Sequence, residues 1–149
     1  MNILDDLTST REQTLAFFTL GDADLRRTYG PGKWSVAYVL HHLADIEVME
    51  LERIHRTLTE ARPTLKAVDA DVWARELAYD CRPLEPSRAL FDAGRAIVIQ
   101  YATLFYESKG HLEYVHTGVG PMTLKQEFEK VAQHNTRHLG HIRTALALS

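Results

Sequence analysis

Apolar residues recur at steps of three and four over four long segments of this chain, and no segment of comparable length alternates with a period of two. That periodicity predicts an all-α protein. The first segment runs from about Ile3 to Leu20, with Leu4, Leu7, Leu15 and Phe18 on or near one face, and the glycines and proline of GDADLRRTYGPGK close it. The second begins after Trp34, where Ser35 suits an N-cap, and carries Val36, Val39, Leu40, Leu43, Ile46, Leu51, Ile54 and Leu58 before Pro63. The third extends from about Leu84 to Ser108, with Pro86 and Ser87 in a first turn that tolerates proline. The fourth starts near Thr123 and runs to about Leu148.

Each segment can cross a small domain at about 1.5 Å per residue and offers one apolar stripe, so residues 1–149 are expected to form a single four-helix bundle. The connection from about Ala61 to Pro83 is longer than an antiparallel hairpin needs, and DADVWARELA within it predicts a short helix. A crossover that sets the second and third long helices parallel accounts for that length.

Composition narrows the function classes. Hydrophobic residues make up 45% and charged residues 25%, with a formal net charge of -3, which supplies no general attraction to nucleic acid or to an anionic membrane surface. The start, MNILDDLTST, has two aspartates and no basic n-region, and no run of about 18 apolar residues follows. The single cysteine, Cys81, cannot close an intramolecular disulfide. These features lead us to expect a cytoplasmic protein with no nucleic-acid or membrane partner.

The chemistry concentrates in VAQHNTRHLGHIRTALALS, where His134, His138 and His141 are spaced four and then three apart. Eight histidines placed at random in 149 positions would give roughly 0.4 pairs at i,i+4, so spacing alone proves little. Position on the helix says more. His138 lies about 50° and His134 about 90° from the centre of the apolar stripe, so both face a neighbouring helix, whereas His141 lies further out as a solvated histidine or helix-end partner. Two readings of the pair stand: core-edge residues satisfied by hydrogen bonds, or two imidazoles one turn apart that chelate a divalent metal and need a third ligand. HHLADIE in the second segment offers His41, His42, Asp45 and Glu47, and the semi-buried margin made by Ile46 and Met49 favours His42 as that ligand. Asp45 could orient an imidazole or lie on the surface. HNTRH lacks the glutamate of H-E-x-x-H, which argues against a zincin-type peptidase.

GKWSVAYVLHHLADIE and VHTGVGPMTLKQEFEKVAQHNTRHLGHI resemble the two signature segments of the DinB and YfiT-like metalloenzyme family. The resemblance implies an up-down-down-up bundle with a long crossover between helices two and three, and a three-histidine site of His42, His134 and His138 holding zinc or nickel. It also implies homodimers, and in some relatives transfer of a low-molecular-weight thiol to a small electrophile. A metal held by three imidazoles keeps positions open for thiolate or for water, so either chemistry is open; the resemblance makes thiol transfer the leading expectation. Metal-dependent hydrolysis of a small substrate, or a non-catalytic, stress-related dimerisation bundle, are the alternatives. Asp45 and Glu47 are the candidate general bases, Asn135 a candidate for fixing an imidazole, and His116 either lines the pocket or serves a turn.

Overall fold

The computed structural model describes residues 2–148. The four apolar segments form the long helices α1 (Ile3–Phe17), α3 (Val36–Thr59), α5 (Leu84–Phe105) and α6 (Leu124–Ala145), with short helices α2 (Asp22–Leu25) and α4 (Ala70–Glu76) in the connections. Local chemistry sets their starts. The Asn2 side chain accepts from Asp5 N–H, Ser35 from Tyr38 N–H, and Thr123 closes a reciprocal capping box with Gln126. The helix expected in DADVWARELA is α4, capped by Asp69.

The expectation of an all-α chain needs a correction. A small sheet of order β1-β2-β3 (Thr64–Leu65, Glu113–His116, Gly120–Thr123) pairs β1 parallel to β2 and β2 antiparallel to β3. Strands of two and four residues are too short to register as a period of two, and β3 contains Gly120 and Pro121, which weaken the strand signal further. The sheet joins the α3–α5 connection to the α5–α6 connection.

Two apolar clusters fill the bundle. One gathers Leu7, Ile54, Val98, Phe128 and Val131, the other Val36, Leu40, Leu43, Phe91 and Ile142. Between them along every helix lies a polar layer built on Arg95, which is 1% exposed. Its five N–H groups are all used: Nε and Nη2 donate to Glu47 (2.6 and 2.9 Å), Nη2 to Asn135 Oδ1 (2.8 Å), and Nη1 to Thr10 Oγ1 (2.8 Å) and Leu7 O (3.2 Å). Asn135 in turn donates to Thr14 Oγ1 (2.9 Å), so one guanidinium ties all four long helices together. Residues pair in rising order between α3 and α5, as His41–Ser87, Glu47–Arg95 and His55–Tyr101, whereas α1 and α5 pair in opposite order, as Thr10–Arg95 and Arg11–Asp92. No helix among the described residues is long and apolar enough to cross a membrane.

Candidate metal centre

His42 comes from α3, and His134 and His138 from consecutive turns of α6, brought to one point because those helices pack face to face. One ring nitrogen of each lies within 4.8 Å of the others. His134 Nε2 is 3.1 Å from His42 Nε2 and 3.1 Å from His138 Nε2. A neutral imidazole nitrogen has either one proton or one lone pair, so His134 Nε2 cannot make a good hydrogen bond to both neighbours. A divalent ion resolves the conflict by taking all three lone pairs. Tetrahedral bonds of about 2.0–2.1 Å would put such nitrogens roughly 3.3 Å apart, close to the 3.1 Å that separates His134 Nε2 from each of its two neighbours.

Burial is the main cause that holds all three rings neutral, lowering His42 to about 4, His134 to about 3 and His138 to about 2. Mutual repulsion between the imidazolium forms adds to the shifts of His134 and His138. Neutral imidazole is the form that binds metal. On the far side of one ring, His138 Nδ1 lies 3.3 Å from His141 Nδ1, and His141 stacks on Tyr29 with ring centroids 4.2 Å apart. A proton shared there leaves His138 Nε2 free to face the cluster. His42 Nδ1 is buried without a partner among the described residues.

The histidines open on a cavity of about 300 Å³ that Trp34, Glu50, Arg53, His116, Lys130 and Arg137 also line. Glu50, two turns beyond His42 on α3, is 2% exposed, and burial, with Glu127 and Glu47 nearby, pushes its carboxyl well above the usual carboxylate range. His116 contributes from β2, with its Nδ1 accepting the Gly118 N–H at 3.0 Å, so it serves a turn and lines the pocket at once.

The sequence candidates Asp45 and Glu47 are not brought into the cluster. Asp45 accepts from Tyr79 OH (2.8 Å) and from both Arg82 Nη atoms (3.0 and 2.7 Å), and Glu47 is held by Arg95 in the polar layer. Asn135 bonds Arg95 and Thr14 rather than an imidazole. His41 turns away from its neighbour: its Nε2 donates to Arg82 O (2.9 Å) and its Nδ1 accepts from Ser87 Oγ (2.7 Å), which locks α3 to the start of α5. Glu50, Arg53, Lys130 and Arg137 escaped sequence reasoning. The available signal was their helical offset from His42 and His134, since Glu50 lies eight residues after the one and Lys130 four before the other.

A DinB superfamily model matches residues 6–142. Among curated proteins, a "Putative metal-dependent hydrolase" of Oceanobacillus iheyensis is 28% identical over 87% of this chain and 74% of its own length. Another of that name, from Bacillus licheniformis, is 32% identical over 83% of this chain and 71% of its own length. Among solved structures, YfiT from Bacillus subtilis, described as "a probable metal-dependent hydrolase with an unusual four-helix bundle topology", superposes with a TM-score of 0.82 over 99% of this chain and 85% of that one. At 20% identity, that likeness speaks for the fold.

Proposed function

Because this chain belongs to the DinB superfamily, we propose that it is a divalent-metal-dependent hydrolase of a small substrate, with His42, His134 and His138 as the ligands of zinc or nickel. The observation that carries this reading is the convergence of three neutral imidazole nitrogens on a cavity that also holds a buried carboxyl, Glu50. A divalent ion held there supplies Lewis acidity toward a carbonyl oxygen and lowers the pKa of water to ~7.

The chain's own residues do the rest. With a divalent charge on the same cavity, the raised Glu50 carboxyl is drawn back toward ionisation and is poised to accept a proton from attacking water and return it to the leaving group. Arg53, Lys130 and Arg137 surround the cavity with positive charge where a carbonyl oxygen gains negative charge. Trp34 covers the histidines, its ring centroid 5.0 Å from that of His42, and limits the approach of bulk water. Asp45 and Glu47 act as positioning residues: Asp45 fixes the Arg82 and Tyr79 wall behind His41, and Glu47 fixes Arg95 beneath Asn135, the neighbour of His134.

Hydrolysis is preferred over transfer of a low-molecular-weight thiol because water needs a base, which Glu50 supplies, whereas a metal-held thiolate needs none. We further infer the up-down-down-up order of the long helices. The shared rising order of contacts between α3 and α5, and the opposed order between α1 and α5, support it.

The test is Glu50→Gln in zinc-loaded protein, assayed on a panel of small carboxylic esters and amides. The expected result is a fall in kcat/KM of about 100-fold or more at unchanged zinc stoichiometry. Hydrolysis that survives the substitution would remove Glu50 from the mechanism. A zinc-loaded wild type inert on the whole panel, yet able to transfer a thiol to an alkyl halide or epoxide, would replace hydrolysis by thiol transfer.

A further inference from the structure

A second and larger hollow, about 750 Å³, lies between α3 and the crossover that carries β1 and α4, with Leu90 of α5 at its edge. It is not separate from the histidine cavity. Met49, Arg53, Ala67 and Val68 line both, so the two hollows are divided only by a ridge of four side chains.

Their chemistry differs in a way that assigns a direction to a ligand. In the histidine cavity the charged side chains are Glu50 against Arg53, Lys130 and Arg137, a net positive surface facing the proposed metal. In the larger hollow three acids, Asp45, Glu52 and Asp69, balance three bases, Arg53, Arg56 and Lys66, and most of the remaining lining is aliphatic or the Trp73 ring. Four of the large apolar residues that this chain leaves in water, Val48 (42% exposed), Val72 (37%), Leu77 (42%) and Leu90 (40%), line this one hollow. A volume of this size falls within the range of small-molecule sites, and a neutral apolar group would cover that surface.

We propose that this hollow seats the apolar acyl part of the substrate, with the carboxyl-derived end of the same molecule across the ridge at the histidines. The assignment rests on the hydrolase reading for the reacting end, but the apolar subsite is testable by binding alone. Its occupant is a medium-length hydrocarbon chain bearing one anionic or carbonyl head. Arg53, on the ridge, is placed to meet that head, since its Nη2 already donates to Lys66 O at 3.2 Å and holds the guanidinium at the boundary.

The probes are straight-chain carboxylates from acetate to decanoate, titrated into zinc-loaded protein. Binding is followed by the fluorescence of Trp73 in a Trp34→Phe background, which removes the other tryptophan. The expected result is that Kd falls by about fourfold per added methylene until the hollow is filled. Val72→Asp and Leu90→Lys, made separately and at positions that line the larger hollow but not the histidine cavity, are expected to weaken octanoate by tenfold or more while leaving zinc stoichiometry and acetate affinity unchanged. Affinity that does not depend on chain length, or that both variants leave unaltered, would overturn the subsite. A wild type that elutes as a dimer on size exclusion, and that these variants turn to monomer without changing octanoate binding, would make the hollow an interface between copies and overturn it as well. Chain-length dependence that both variants abolish, in a protein that takes up no zinc, would keep the subsite and sink the hydrolase reading.

Discussion

His41 and His42 are adjacent, and what separates them is the partner that each ring meets. His42 projects to α6 and joins His134 and His138, while His41 is fastened to Arg82 O and Ser87 Oγ at the start of α5. Those partners lie more than forty residues away in the chain, so periodicity could favour His42 only through the apolar margin beside it. The carboxylates were harder still. Asp45 and Glu47 stand out because they sit next to the histidines in sequence, yet their partners Arg82 and Arg95 come from outside α3, and Glu50 faces the site instead. Substitutions should separate these roles. His42→Gln is expected to abolish zinc uptake and keep the fold, whereas His41→Gln is expected to keep zinc and cost about 1–3 kcal/mol in urea denaturation, because it leaves buried groups unpaired. His141→Ala, with all three proposed ligands intact, is expected to weaken zinc affinity by about 10- to 100-fold through the lost Nδ1 contact, measured by chelator competition.

The helices were legible because each carries its own evidence: an apolar stripe and, at Ser35 and Thr123, a side chain that caps the start. The sheet was not, because its strands are only two to four residues long, the β3 partner of the local hairpin contains Gly120 and Pro121, and β1 joins it from some fifty positions away, as Thr64 with Val115. The polar layer was equally invisible, since Arg95 reads as one of several charges along α5, with Glu85, Arg88 and Asp92, until Glu47, Asn135 and Thr10 surround it. Removing one member exposes how the layer works. Arg95→Met leaves Glu47 buried without its partner and is expected to cost about 3–5 kcal/mol by chemical denaturation, and adding Glu47→Leu to it is expected to recover much of the loss. Thr123→Ala, which removes the α6 cap, is expected to cost only about 1 kcal/mol.

Across the whole molecule, the α3–α5 connection is longer than a hairpin turn needs, and the structure fills it with β1 and α4. That insertion supplies Ala67 and Val68 to the walls of both cavities and Trp73 to the larger one, so the segment that looked like mere linkage shapes them. The buried histidines also set how stability responds to acid. Burial lowers His41, His42, His134 and His138 from the ordinary 6.5 in the folded chain, while the unfolded chain titrates near that value. As pH falls through about 6.5, the unfolded state takes up protons that the folded state refuses, so stability present above that pH is lost below it. Chelator-treated protein is therefore expected to show a falling urea midpoint from pH 7.5 to 5, with a shallower fall in the His134→Gln/His138→Gln variant.

The most direct measurement is metal content by mass spectrometry of protein purified without a histidine tag, dialysed against zinc and then against metal-free buffer. About one zinc per chain is expected in the wild type and in Glu50→Gln, and almost none in His42→Ala or His134→Ala/His138→Ala, with circular dichroism unchanged in all of them. A folded wild type that retains no zinc and no nickel, or a double-histidine variant that retains as much as the wild type, would contradict the three-histidine site.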